Sequence, residues 1–226
     1  MTGACFDSYD WAGGREAMLR FGPRTGPVVI AALPLFEEAN RTRQFVVTIL
    51  RALAAHGIGS VLPDFPGTGE SLVATRDARL GHQIDAYSSL AQMLGVRTYA
   101  VSIRSGALLD TGAALAGRWH LAPQTGGDLL RDLERTRTAA MRSEPLGESG
   151  YAGNVVSRAM LTELRAATLF ATHGRTRIVR LDTDPRAADR KYTGSPLWRR
   201  SEPGSDVVLA QVLAADISQW IASCED

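Results

Sequence analysis

The stretch VSIRSGALLD, Val101 to Asp110, leaves an apolar, strand-like segment and enters a run of small residues. That is the outline of a strand–turn–helix corner, which thrusts one side chain out over the end of a sheet for nucleophilic attack. Its five positions read Ser102-Ile103-Arg104-Ser105-Gly106, so an arginine holds the centre. A guanidinium keeps its proton at physiological pH and cannot attack an acyl carbon. It can pair bidentately with a carboxylate or phosphate. The helix that follows would aim free N–H groups and a positive dipole end at the same place. Arg104 therefore implies an anion-binding corner or a structural ion pair, with Glu37 or Glu38 as candidate partners.

The other chemistry-bearing residues are scattered. Ser105 is the nearest hydroxyl, but a corner centred on it would need a small residue where β-branched Ile103 stands, so Ser105 is expected to start or cap the helix. Ser102 reads as tolerated packing at the rim of the corner. The loop PLFEEANRTR could supply backbone donors from Leu35 or Phe36 beside Ser105, and Glu37, Glu38, Asn40 and Arg43 make it polar. Asn40 also reads as a helix cap. Arg104, Glu37 and Glu38 together would make a charged floor for a zwitterionic or sugar-acid ligand. A histidine is expected after the last strand, yet SPLWRRSEPGSDVV has none, and Glu202 is its nearest ionisable candidate. His56 and His120 read as structural; His173, after a helical stretch, keeps a catalytic role open. Asp182 or Asp184, after TRIVRL, stands where an acid could orient a histidine, and otherwise serves a turn.

The elements that must position these groups alternate. CFDSYDW and EAMLRFG flank Ala12-Gly13-Gly14-Arg15 and read as a hairpin. GPVVIAALPLF is a continuous apolar run, as in a strand buried on both faces. In EEANRTRQFVVTILRALAAHG, Phe45, Ile49, Leu50 and Leu53 fall at helical spacing, and Gly57 suits the C-terminal cap. IGSVLPDFPGTGES (strand, then a Gly/Pro loop), HQIDAYSSLAQMLG (helix), VRTYAVSIR (strand), SGALLDTGAALAG (helix) and RWHLAPQTGG (strand) follow. This order gives an α/β fold with a mostly parallel sheet and helices on both faces. Residues 128–172 then carry two helical stretches, a helical insertion or cap within one domain. TRIVRLDTDPR resumes the strands, SPLWRRSEPGSD reads as the last strand plus loop, and Ser205 to Ser223 is an amphipathic helix.

With 226 residues, 45% hydrophobic and 22% charged, the chain suits a single domain with a sizeable core. A net charge of +1 gives no reason to expect a nucleic-acid partner. Lys191 is the sole lysine among 25 basic residues, which reads as a coding bias. Cys5 and Cys224 make no disulfide framework, and the four histidines have no ligand spacing, so neither metal nor cofactor is expected. PGTGES lacks a P-loop's lysine, and DFPGTG lacks the third glycine of a dinucleotide fingerprint. No stretch reaches the ~20 apolar residues of a membrane span, and MTGACFDSYDWAGG does not read as a signal peptide. A cytoplasmic soluble protein is the default.

LPLFEEANRTR, LPDFPGTGES, the arginine-centred corner, HLAPQTGGDLLRDLERTR and GYAG occur in an order that resembles the second hydrolase-like family associated with the exosortase A system, within the α/β-hydrolase superfamily. The resemblance runs from about Ala12 to the end, and FEEANRTR and SIRSGA are its most specific pieces. The family's corner reads Gly-Leu-Arg-Leu-Gly; this chain keeps the Arg and the final Gly and has serines at the first and fourth positions. The resemblance implies an α/β-hydrolase fold in a bacterium, with links to exopolysaccharide production and exosortase sorting. Three functions stay open. One is a non-catalytic or unconventional hydrolase-fold protein binding an acidic or acylated small molecule or a protein partner. Another is an esterase or thioesterase with displaced groups, Ser105 and His173. The third is a scaffold without a ligand, using the cap helices as its contact surface; a protein partner or a homodimer is open in any of the three.

Overall fold

The computed structural model describes residues 3–95, 97–143, 155–171 and 175–225. The hairpin joins β1 (Cys5–Trp11) to β2 (Gly14–Phe21), with Trp11 opposite Gly14 and a two-residue Ala12-Gly13 turn. Then come β3 (Val28–Ala32), α1 (Glu37–Ala55), β4 (Gly59–Pro63), α2 (Leu80–Leu94) and β5 (Thr98–Ile103). A 3-10 helix, Arg104–Gly112, leads to β6 (Gly117–Leu121). The chain continues with α3 (Gly126–Ser143), α4 (Arg158–Ala166), β7 (Thr176–Leu181), β8 (Arg190–Tyr192) and α5 (Val207–Glu225). Gly57 takes φ +76 directly after the C-terminal cap of α1, the left-handed conformation a glycine adopts without strain.

The eight strands form one sheet in the order β1-β2-β4-β3-β5-β6-β7-β8. β1/β2 and β2/β4 are antiparallel and the other pairs parallel. The chain steps from β3 to β4 on one side and returns to β5 on the other. Such a reversal opens a crevice at the carboxyl ends of the central strands, where open α/β sheets bind ligands. Arg104 lies at the end of β5 and Phe36 beyond the end of β3, so both stand at that crevice.

Because side chains alternate along a strand, the sheet divides two cores. Val29, Ala31, Tyr99, Val101, Ile103, Trp119 and Leu121 face α1 and α5; Ile30, Ala32 and Ala100 face α2, the 3-10 helix, α3 and α4. Helix α5 is long and apolar enough to cross a membrane, with a mean hydropathy of 1.4 over its best window. It alone among the described residues meets that measure, where no stretch of spanning length was expected. Leu209, Leu213, Ile217 and Trp220 are buried in the core shared with α1, which is where its apolar surface goes.

Three elements differ from expectation. The last strand is Arg190–Tyr192, and Leu197–Arg199 is a single 3-10 turn. The strand is short, charged and largely exposed at a sheet edge, so apolar patterning does not reveal it, while Pro196 has no N–H for a sheet ladder. SGALLDTGAALAG gives the 3-10 helix and then a short irregular connection into β6 rather than an α-helix. Within 128–172, α3 begins two residues earlier and α4 is only nine residues long; residues 144–154 lie outside the described part.

Candidate functional site

Strain marks the site. Only three non-glycine residues among those described have positive φ: Phe36 (59°), Arg104 (55°) and Ala122 (49°). Each follows the carboxyl end of a central strand, β3, β5 or β6. Such conformations cost about 1–3 kcal/mol each and persist where the surroundings enforce them. At the corner the enforcement is visible. A Cβ on Gly106 would sit 2.5 Å from the Ala32 carbonyl oxygen and 2.6 Å from that of Leu33, so only glycine lets the turn press against β3.

The Arg104 side chain is buried and held by two helices. Its Nε donates to Glu38 Oε2 at 3.1 Å, and its Nη2 donates to Glu38 Oε1 at 3.3 Å and to Asp132 Oδ2 at 3.2 Å. Glu38 lies in the first turn of α1, where a carboxylate also complements the helix dipole. Gln124 Nε2 donates to the same Asp132 oxygen at 2.6 Å. The guanidinium carbon stands 5.3 Å from the centre of the Trp198 ring, within cation–π range. Trp198 sits after β8, the stretch where a histidine was sought.

Arg104 and Trp198 border a cleft of about 340 Å³ together with Ala122, Asp184, Arg186 and Arg199. Asp184 accepts from Arg186 Nη2 at 2.7 Å and Arg180 Nη1 at 3.0 Å. Arg186 holds the Asp184 carboxyl well below the usual carboxylate range, against the opposing effect of burial and with help from Arg180. Asp184 is thus committed to its own arginines.

The expected residues fall into three groups. Arg104 and Glu38 meet, whereas Glu37 turns away to pair with Arg41. Ser105 is fully buried and does not cap the 3-10 helix, which has no side-chain cap; its Oγ accepts the Leu35 N–H at 2.9 Å. That bond occupies the Leu35 donor sought for an oxyanion. Phe36 occupies the capping position of α1 and Asn40 lies inside the helix, so Asn40 is not the cap. Arg43 pairs with Asp64 at 3.2 Å. Asp182 is exposed, and the cleft takes Asp184 instead. His173 lies outside the described residues.

Ser102 is neither mere packing nor a ligand contact. The β5/β6 register sets it beside His120, with Arg118 two residues along on the same face. All three converge on Asp110: Ser102 Oγ donates to Oδ2 at 2.7 Å, Arg118 Nε to Oδ1 at 3.2 Å, and His120 Nε2 lies 2.9 Å from Oδ2. This cluster is closed inside the core behind the corner.

Asp132, Trp198, Arg186 and Arg199 escaped sequence reading. Asp132 looks like one more acid on a charged helix, and only the absent histidine drew attention to the segment holding Trp198.

No family model matches the chain, and no curated protein matches it in sequence. Among solved structures, epoxide hydrolase A from Mycobacterium thermoresistibile is similar over 97% of this chain and 98% of its own, with 15% identity and a TM-score of 0.63. A protein of Agrobacterium vitis S4, provisionally described as a hydrolase, is similar over 99% of both chains, with 17% identity and a TM-score of 0.55. An epoxide hydrolase of Vigna radiata matches 54% of this chain, at 19% identity and a TM-score of 0.44, and the chain spans 38% of that enzyme's length. The two full-length likenesses establish the fold: the chain has the α/β-hydrolase fold, with a mostly parallel sheet flanked by helices.

Proposed function

We propose that this protein binds an acidic small molecule, free or acylated, in the cleft beside Arg104 and does not hydrolyse esters by Ser-His-Asp chemistry. One observation carries the reading. The strained position of the corner holds a guanidinium that lines the cleft and whose partners, Glu38 and Asp132, are 19% and 36% exposed. Arg186 and Arg199 line the same cleft, and Trp198 offers an aromatic wall. A carboxylate or phosphate group entering it would exchange with Asp132 or Glu38 on Arg104, which keeps the guanidinium paired throughout. Helices α3 and α4 act as a cap in this reading, since α3 supplies Asp132. The exopolysaccharide- or exosortase-linked setting rests on the sequence motifs FEEANRTR and SIRSGA.

The test compares wild type with Arg104→Gly in two assays. Short and medium acyl p-nitrophenyl esters are expected to turn over no faster than in buffer with either protein. Small organic acids are expected to raise the wild-type melting temperature as their concentration rises, by about 2.7 kcal/mol of stabilisation at a hundredfold excess over Kd, and to leave Arg104→Gly unshifted. Ester turnover by wild type that vanishes in Ser105→Ala would overturn the proposal.

A further inference from the structure

Charge is out of balance among the side chains around the Arg104 cleft. Asp184 is the one carboxylate among the described residues that line it, and two arginines share it. Arg180 Nη1 donates to Oδ2 at 3.0 Å; Arg186 donates Nε to Oδ1 at 3.0 Å and Nη2 to Oδ2 at 2.7 Å. Arg199, exposed at the end of the 3-10 turn, lines the cleft with no ion pair or side-chain hydrogen bond to any described residue. Arg104 is matched by Glu38, and Asp132 has Arg135 besides. Two guanidiniums on one carboxylate and a third on none leave a surplus of two positive charges. Burial pulls the Arg180 guanidinium below its ordinary pKa, and the charges of Arg186 and Arg104 add to that pull against Asp184.

Unfilled donors belong to the same lining. Arg104 spends Nε and Nη2 on carboxylates, while its Nη1 has no partner among the described residues and is not sealed from solvent. Arg186 likewise spends Nε and Nη2 on Asp184 and keeps Nη1. Arg199 keeps all of its donors. A carboxylate brings one charge and two oxygens, which a single arginine fork can use up. A phosphate monoester brings close to two charges at neutral pH and three terminal oxygens. Leu181, Pro185 and Pro196 line the rest of the cleft, and its volume of about 340 Å³ is at the small end of ligand sites.

We infer that the ligand of this cleft is a phosphate monoester, held as the dianion by Arg104, Arg186 and Arg199, with an organic group no larger than a single ring against Leu181 and the two prolines. The inference rests on the acid-binding reading above and narrows it.

Calorimetry on the full chain at low salt compares phenyl phosphate with benzoate, which has the same ring and one charge. At pH 7 phenyl phosphate is expected to bind roughly tenfold more tightly. A phosphate monoester takes up its second proton near pH 6, whereas the lining offers only arginines and the strongly acidic Asp184. Phenyl phosphate is therefore expected to bind roughly fivefold more weakly at pH 5 than at pH 7, with benzoate nearly unchanged. Arg199→Gln, at an exposed position without a partner to disturb, is expected to weaken phenyl phosphate roughly tenfold, the worth of one hydrogen bond to a charged group, and benzoate far less. Binding of neither ligand by wild type would remove the acid-binding reading and this inference with it. Benzoate bound as tightly as phenyl phosphate, with both lost in Arg104→Gly, would keep that reading and overturn this inference. Phenyl phosphate binding that is unchanged in Arg199→Gln, between pH 7 and pH 5, or in Arg104→Gly would overturn it as well.

Discussion

Arg104 and Arg118 are buried to the same degree, with 6% and 7% of their side chains exposed, and both form ion pairs beside the same corner. Their partners differ. Arg118 and His120 share Asp110, which is 0% exposed, and Arg118 Nη2 also donates to the carbonyls of Asp110 and Ala113. Phe170 covers the guanidinium, 3.7 Å from its carbon. Arg104 pairs with carboxylates that solvent can reach and borders an open cleft. Burial of an arginine therefore does not mark a site. What separates the two is whether its counter-ions can be exchanged, because a closed cluster would have to break before anything could enter it.

The largest expected effect comes from the closed cluster. Asp110→Ala leaves Arg118 charged and unpaired in the core and should cost about 3–5 kcal/mol of unfolding free energy, read from urea denaturation. A loss under about 1 kcal/mol would put the two clusters on the same footing. Next comes the wall between them. Gly106→Ala drives a methyl into the Ala32 and Leu33 carbonyls and should cost about 1–3 kcal/mol, as overpacking does; an unchanged urea midpoint would show that the corner can relax.

Arg104→Gly should cost less than Asp110→Ala, about 1–3 kcal/mol. The Glu38 and Asp132 carboxylates it leaves behind are partly exposed and can rehydrate, and glycine relieves the positive φ. The same variant should lose the acid-dependent rise in melting temperature, so function and stability separate here as they do not at Asp110. The smallest effect is on pH dependence. The folded-state pKa of Asp184 is lowered, so its stabilisation is present above the unfolded carboxylate pKa of about 3.9 and is lost as pH falls below it. Urea midpoints of wild type and Asp184→Asn should differ at pH 7 and converge toward pH 2; a constant gap would refute the linkage.

Much of the fold is legible because burial writes itself into the chain. GPVVIAALPLF reads as a strand since both faces of β3 are covered, and the α1 stripe matches the residues packed on α5. The strand Arg190–Tyr192 is not legible, because an exposed edge needs no apolar residues. The site divides in the same way. Arg104 and a partner among Glu37 and Glu38 follow from the motif and the neighbouring loop, while Asp132 and Trp198 arrive from elements that nothing local ties to the corner. Ser105 looks like a cap in sequence because serine so often is one, yet the turn aims its hydroxyl at Leu35.

The sequence alone determined that an arginine occupies the corner, which removes a nucleophile by the chemistry of the guanidinium. It also determined the alternation of strands and helices that sets the corner at the carboxyl end of a sheet strand. Only the tertiary structure decided which carboxylates meet that arginine. Glu38 lies 66 residues away along the chain and Asp132 28, and such distances close only when the helices pack over the sheet. It likewise decided that Ser102 and His120 face inward with Asp110, because strand register, set by pairing across β5 and β6, chooses the face each side chain takes.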